Sequence, residues 1–230
     1  MRVFAVNGSP RMDKGNTALV LNPFLDGMRD AGADVDLYYI KRLNIKPCGG
    51  TFHCWSTPSS KCGIKDDMQE MLSRMRCAET WVFGIPVYVP MPGEMQNFIN
   101  RLMPLLDAKI VIRDGRMHPH RRDDVKVKRL VLVSSSAYWE LENFDELVSS
   151  IKRLAYVFKA EFVGPVLRPH VEVLKAMRKD GRGGEDIIEA ARDAGRQVVK
   201  KGSISKKTIQ TVQRPLMTFK QFIEGFEVVT

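Results

Sequence analysis

The residues best placed to do chemistry lie near the start of the chain, in the run Asn7-Gly8-Ser9-Pro10-Arg11-Met12-Asp13-Lys14-Gly15-Asn16-Thr17. The apolar run Val3-Phe4-Ala5-Val6 before it reads as a buried parallel strand. After it, Ala18, Leu19, Leu21, Leu25 and Met28 share one face of a helix that Asn16 or Thr17 can cap and that stops near Ala31-Gly32. A loop between a strand and a helix presents unpaired backbone N–H groups at the positive helix end, and such groups bind phosphate. Ser9 and Thr17 add hydroxyl donors, Arg11 adds a charged fork, and Gly15 allows close backbone approach. Two other phosphate loops are excluded. A Walker loop needs Lys and Ser/Thr directly after its second glycine, where Asn16-Thr17 stands, and Gly8-Ser9-Pro10 breaks the dinucleotide fingerprint Gly-x-Gly-x-x-Gly. An ordinary strand-to-helix turn capped by Asn16 is the alternative.

The elements that must position this loop follow from periodicity. A second strand is predicted over Asp34 to Ile40, a third over Thr80 to Ile85, a fourth over Leu130 to Ser134 and a fifth over Glu161 to Leu167. Thr80 to Ile85 is the most hydrophobic, which puts it at the sheet centre. Helices are predicted from Asp66-Asp67 to about Cys77, from Gly93 to Leu106, from Asn143 to Phe158 and from Glu185 to Lys200. The carboxylates of Asp66-Asp67 suit the positive end of their helix. Residues 109–127 read as an inserted hairpin turning at Asp114-Gly115. Five strands alternating with helices define an α/β protein with a doubly wound parallel sheet. Its ligand site belongs beyond the carboxyl ends of the strands, at the switch point beside strand one.

The chain has 230 residues, 44% hydrophobic and 27% charged, which suits one α/β domain over 1–202 with an extension at 203–230. Leu216, Met217, Phe219, Phe222, Ile223 and Phe226 are too many apolar residues for a disordered tail, so the extension is expected to pack. No apolar run is long enough to span a bilayer, and the start reads as a strand rather than a signal peptide, so membrane association is not expected and a cytoplasmic location is. The net charge is +9, and residues 109–129 hold eight basic side chains against three acidic ones. Aromatic residues are not interleaved there as base stacking requires, so a solvated basic surface is expected rather than nucleic-acid binding. The same charge would attract a phosphorylated cofactor.

Taken together, several segments resemble the NADPH-dependent FMN reductases and iron-sulfur flavoproteins of the flavodoxin-like fold. They are Gly8-Ser9-Pro10-Arg11 with Gly15-Asn16-Thr17, Pro86-Val87-Tyr88, the cysteine-bearing loop ending in Asp66-Asp67-Met68, and Ser134-Ser135-Ser136-Ala137-Tyr138-Trp139 followed by Glu142-Asn143-Phe144-Asp145. The resemblance runs from Val3 to about Lys201 and implies a five-stranded sheet in the order 2-1-3-4-5. It implies that Ser9, Arg11, Gly15, Asn16 and Thr17 hold the phosphate of FMN. Pro86, Val87 and Tyr88 would then line one side of the flavin ring, and Ser135, Ser136, Ala137 and Tyr138 the other. A flat tricyclic ring does require apolar or aromatic walls with a few polar groups at its rim. Tyr88 and Trp139 could instead be packed aromatics, and Trp81, inside a strand, is expected in the core.

Four cysteines remain: Cys48, Cys54, Cys62 and Cys77. An intracellular setting makes them thiols or metal ligands rather than disulfides. By the resemblance, Cys48, Cys54 and Cys62 match the first, third and fourth ligands of a four-iron cluster, with Thr51 at the second position. Threonine is a poor iron ligand, so the expectation is free thiols and no cluster. His53 offers a zinc alternative with the three cysteines, although its place beside Cys54 strains joint ligation. Cys77 is expected to be packed at the end of its helix.

The function expected from this resemblance is an FMN oxidoreductase passing electrons from NAD(P)H to a small acceptor, with no side chain needed as general acid or base. The alternatives are an electron-transfer flavoprotein reduced by a partner protein, or a binding protein without redox turnover. Ile110, Val111 and Ile112 in the hairpin, with Phe219, Phe222 and Phe226 in the tail, suggest a homodimer or tetramer.

Overall fold

The computed structural model describes residues 1–56 and 61–226. In chain order the main elements are β1 (Arg2–Asn7), α1 (Ala18–Asp30), β2 (Asp34–Tyr39), α2 (His53–Ser56), α3 (Met68–Cys77), β3 (Thr80–Pro86), α4 (Gly93–Asn100), β4 (Leu106–Arg113), β5 (Arg116–Arg121), β6 (Arg129–Ser135), α5 (Asp145–Val157), β7 (Glu161–Arg168), α6 (Val171–Lys179), α7 (Glu185–Lys201), α8 (Lys206–Gln213) and α9 (Phe219–Ile223). Five strands form one sheet in the order β2-β1-β3-β6-β7, and β4-β5 form a separate antiparallel hairpin. With the hairpin set aside, this is the flavodoxin-like order 2-1-3-4-5. None of the described helices is long and apolar enough to cross a membrane.

Strand alternation divides the core into two layers. Phe4, Val6, Trp81, Phe83, Ile85, Leu130 and Leu132 face α3, α4 and α5. Val3, Ala5, Val82, Val131 and Val133 face α1, α7 and α8. The second layer uses smaller side chains, and its helices come correspondingly close. A Cβ on Gly27 would lie 1.8 Å from the Arg192 carbonyl oxygen, and one on Gly195 would lie 1.9 Å from that of Phe24. Glycine at these two places lets the backbones of α1 and α7 touch.

Register sets the height of the site. Asn7 pairs with Gly84, Pro86 with Ser135, and Ser135 with Arg168, so the loops after β1, β3, β6 and β7 all leave from one edge of the sheet. The helix predicted to run to Leu106 stops at Asn100. A 3-10 turn carrying Pro104 follows, and β4 begins at Leu106, because proline cannot continue the helical ladder. Four helices, α2, α6, α8 and α9, carry no sequence signal that marks them. In α6 only Val171 and Leu174 are buried, too few to mark a helical stripe.

The tail folds back onto its own chain as far as it is described. α8 packs on α7 and β7, and Phe219 and Phe222 meet Trp139 and His170 edge-on; residues 227–230 lie outside the described residues. Its anchor is Arg168, fully buried and, among the described residues, without a carboxylate in ion-pair contact. The Arg168 guanidinium donates to the carbonyls of Pro169, Val212 and Arg214 and to Nε2 of His170. Burial lowers its pKa to about 10. His170 Nε2 also accepts from the Leu216 N–H at 3.1 Å, so this nitrogen carries no proton.

His170 is 1% exposed, and its burial, reinforced by Arg168, depresses its pKa to about 4. An unfolded chain takes up a proton at this histidine near pH 6.5 and the folded one does not. Stability is therefore expected to fall as pH drops from 6.5 to 4, by up to about 3 kcal/mol from this group. Urea unfolding of the wild type and of His170→Gln at pH 7 and pH 4.5 checks it. The glutamine variant should lose less stability across the interval; equal losses would contradict the assignment.

Candidate functional site

The loop after β1 is held shut by side chains from its own strand. Asn7, fully buried at the strand end, accepts from the Ser9 N–H at 2.9 Å through Oδ1 and donates from Nδ2 to the Met12 carbonyl at 3.3 Å. Gly8 donates to the Gly84 carbonyl at 2.7 Å, fixing the loop to β3. Ser9 Oγ accepts from the Arg11 N–H and faces Gly15, where a Cβ would lie only 2.3 Å from it. Gly15 is thus needed for space, since its φ of −79° suits any residue. Thr17 is the N-cap of α1, yet the expected side-chain cap is absent. Its Oγ1 meets Ser135 Oγ at 2.9 Å instead, and the Asn16 amide turns to Glu172 on α6. Among the described residues, the N–H groups of Asn16 and Thr17 take no part in the loop's backbone hydrogen bonds. Two uncapped N–H groups, two hydroxyls and one guanidinium thus surround the positive end of α1, an arrangement that suits phosphate.

The loops after β3 and β6 stand beside it. Val87 donates to the Ser135 carbonyl at 3.0 Å, which ties the two loops together. Ser135 and Ser136 are buried, Pro86 and Val87 half-buried, and Tyr88, Ala137 and Tyr138 exposed. Val87, Tyr88, Ser136, Ala137 and Tyr138 line a cleft of about 670 Å³, whose far rim is formed by Glu142, Asp145 and Glu146. The hydroxyl contact between Thr17 and Ser135 connects this cleft to the loop after β1. All twelve cofactor-binding residues expected from sequence therefore lie along one edge of the sheet, within two neighbouring structures. Trp139 stands apart, stacked on His170 and donating to the Met217 carbonyl. It is a packed residue, as is fully buried Trp81.

The cysteine loop is pinned by an ion pair that sequence reasoning missed. Arg101 and Asp66 are both almost fully buried and meet at 2.6 Å. Arg101 also donates to the Lys46 carbonyl, and its Nη2 lies 3.8 Å from Cys62 Sγ. Burial alone would raise the Asp66 pKa, but the Arg101 guanidinium together with the Lys46 and Met68 N–H groups outweighs it and holds the carboxyl below its usual range. Cys48 is exposed, Cys54 buried and Cys62 intermediate. Burial, with lesser contributions from Cys62 and Cys48, pushes the Cys54 thiol up. Among the described residues, no three His, Cys, Asp or Glu side chains come together as a metal-ligand set. Cys77 is exposed rather than packed. The buried stripe of α3 is Met68, Met71, Leu72 and Met75, and position 77 falls off its period.

Residues 109–129 also differ from expectation. Arg113 donates to the Tyr156 carbonyl, Arg121 to those of Val127 and Phe158, and Arg122 to those of Pro104, Leu106 and Cys54. These arginines fasten the hairpin rather than form a purely solvated surface. Sequence gave no signal for Glu172, which sits 156 positions from Asn16. Asn7 was visible only as a turn residue.

The matches to known proteins agree with this geometry. The family model described as NADPH-dependent FMN reductase matches residues 1–133. Iron-sulfur flavoproteins of Methanocaldococcus jannaschii and Archaeoglobus fulgidus are 30% identical over 106 residues and 31% identical over 102 residues. Those matches cover 46% and 44% of this chain and 53% and 48% of the relatives, so the chain spans about half the length of the curated relatives it matches. Among solved structures, an NAD(P)H:quinone oxidoreductase from Methanothermobacter marburgensis superposes with a TM-score of 0.61 at 16% identity, over 86% of this chain and 96% of that one. An FMN-dependent NADH-azoreductase from Bacillus anthracis, solved with FMN, gives 0.58 at 12% identity, over 88% and 99%. The site and the family match define one class: the chain belongs to the NADPH-dependent FMN reductase family.

If the loop holds the phosphate of FMN, Thr17→Ala and Arg11→Ala should each weaken FMN while hardly affecting riboflavin, since each removes a group able to donate to phosphate, worth about 1.5–3 kcal/mol. Titration of flavin fluorescence with the apoprotein measures both. Equal weakening of the two ligands would show that the loop does not hold the phosphate.

Proposed function

We propose that the protein is a cytoplasmic FMN-dependent oxidoreductase that passes electrons from NAD(P)H to a small acceptor such as a quinone or a flavin. The observation that carries this reading is the phosphate loop's construction. A Cβ on Gly15 would lie 2.3 Å from Ser9 Oγ, and among the described residues two N–H groups of the α1 terminus make no backbone hydrogen bond beside the Ser9 and Thr17 hydroxyls. These residues fit the phosphate of FMN. In this reading Ser9, Thr17, Arg11 and Asn16 hold the phosphate, while Pro86, Val87, Tyr88, Ser135, Ser136, Ala137 and Tyr138 hold the ring. Bound there, FMN supplies the hydride-accepting chemistry that no side chain of the chain provides. The protein's share is orientation: Thr17 joined to Ser135 fixes the phosphate end against the ring end. No residue of the cleft is needed to move a proton.

In this reading the chain carries no iron-sulfur cluster, because by the resemblance Thr51 stands where a second thiolate would be required and threonine is a poor iron ligand. Absorbance of the purified protein, with flavin and iron assayed on the same sample and NADPH then added without oxygen, tests this function. One flavin and under one iron per chain are expected, with rapid bleaching by NADPH alone. Bleaching only with a reduced carrier protein would favour an electron-transfer flavoprotein, and stoichiometric iron with acid-labile sulfide would contradict the donor argument.

We also propose that residues 1–202 form the flavin-binding domain, that 203–230 extend it, and that the chain works as a homodimer or dimer of dimers. The hairpin supports this assembly. Ile110, Ile112 and Met117 are 53%, 67% and 68% exposed, with Ile112 opposite Met117 across the strands, and Phe219 and Phe226 are exposed on the tail. Light scattering should give a dimer or tetramer for the intact chain and a smaller species after truncation at Ser203. A monomer in both cases, with unchanged flavin affinity, would rule out a site shared between subunits.

A further inference from the structure

The phosphate loop already holds an anion supplied by the chain. Glu172 lies in the first turn of α6, and its Oε1 accepts from Asn16 Nδ2 and stands 3.7 Å from Arg11 Nη2. Asn16 is 7% exposed, and its other amide atom, Oδ1, has no donor among the described residues. The amide is therefore aimed by Glu172 alone. Both partners of this carboxylate are residues of the loop, and both are groups that the proposed function gives to the flavin phosphate. The backbone of α6 is fixed, since His170 donates to the Tyr138 carbonyl at 2.7 Å and Val171 to that of Ser136 at 3.0 Å. The Glu172 side chain is half-exposed and has solvent to swing into.

Resting on that reading of the loop, we infer that Glu172 is a resident anion that the FMN phosphate must displace, and that it sets flavin affinity low enough for the flavin to exchange. A phosphate and a carboxylate that share Arg11 and Asn16 repel each other at contact range, and at this half-exposed position solvent screens part of the repulsion without removing it. Riboflavin carries no phosphate and meets no such repulsion. Glu172 thus acts on affinity in the opposite sense to Arg11 while touching the same atoms. It discriminates against the charged end of the ligand and leaves the ring contacts alone.

Glu172→Gln keeps an oxygen that can accept from Asn16 and removes only the charge, while Glu172→Ala removes both. Dissociation constants of FMN and riboflavin are measured by flavin fluorescence for the wild type, both Glu172 variants and Arg11→Ala. The resident-anion account requires Glu172→Gln to tighten FMN by about tenfold or more, as expected for loss of one like charge at this range, with riboflavin unchanged. FMN binding that is unchanged or weaker in Glu172→Gln, while Arg11→Ala still weakens FMN selectively, overturns the account and leaves the phosphate loop standing. A selective loss of FMN in Glu172→Ala alone makes Glu172 a positioning residue for Asn16 and likewise overturns it. If Arg11→Ala affects both ligands equally, the phosphate assignment fails, and the account of Glu172 fails with it.

Discussion

The site depends on the Asn7 amide. A strand that ends in a buried polar side chain must satisfy it, and Asn7 does so by folding the next five residues around itself, through Ser9 N–H on one side and the Met12 carbonyl on the other. That closure turns Ser9 Oγ toward Gly15 and sets the direction in which α1 departs. Thr17 can then reach Ser135 across the sheet edge instead of capping its own helix. The uncapped helix end and the link between the two halves of the site both follow from one buried amide.

Charge is distributed with less freedom than a net +9 suggests. Arg168 is fixed to carbonyls at the tail, Arg101 to Asp66 under the cysteine loop, and Arg113, Arg121 and Arg122 to carbonyls around the hairpin. In the phosphate loop itself, Arg11 faces Glu172, so its field is partly cancelled by the chain. The cleft beside it is rimmed by Glu142, Asp145 and Glu146. These five arginines serve as hydrogen-bonding structure, and the donors at the start of α1 are a few oriented groups rather than a broad basic surface.

How much was legible in the sequence follows the range of the interactions involved. β1, β3 and β6 announce themselves because each is a nearly unbroken apolar run, and the loop after β1 could be read because its donors are adjacent in the chain. The order of the strands followed from the resemblance, and the described topology matches it. What stayed hidden joins distant residues. Arg168 reaches Val212 and Arg214, Arg101 reaches Asp66, and Glu172 reaches Asn16, and none of these pairs leaves a periodic or local mark. The arginines of 109–129 were read as solvated because composition does not reveal that carbonyls wait for them. Cys77 was misjudged by one step of helical phase.

We place the phosphate of a bound flavin at the loop from Ser9 to Thr17 and its ring between Tyr88 and Tyr138. A crystal structure of the protein with FMN tests it most directly. The account predicts the phosphate within hydrogen-bond distance of the Ser9 and Thr17 hydroxyls and of the Asn16 and Thr17 N–H groups, with the ring in the cleft of Val87 and Ala137. A flavin bound with its phosphate away from this loop would contradict it.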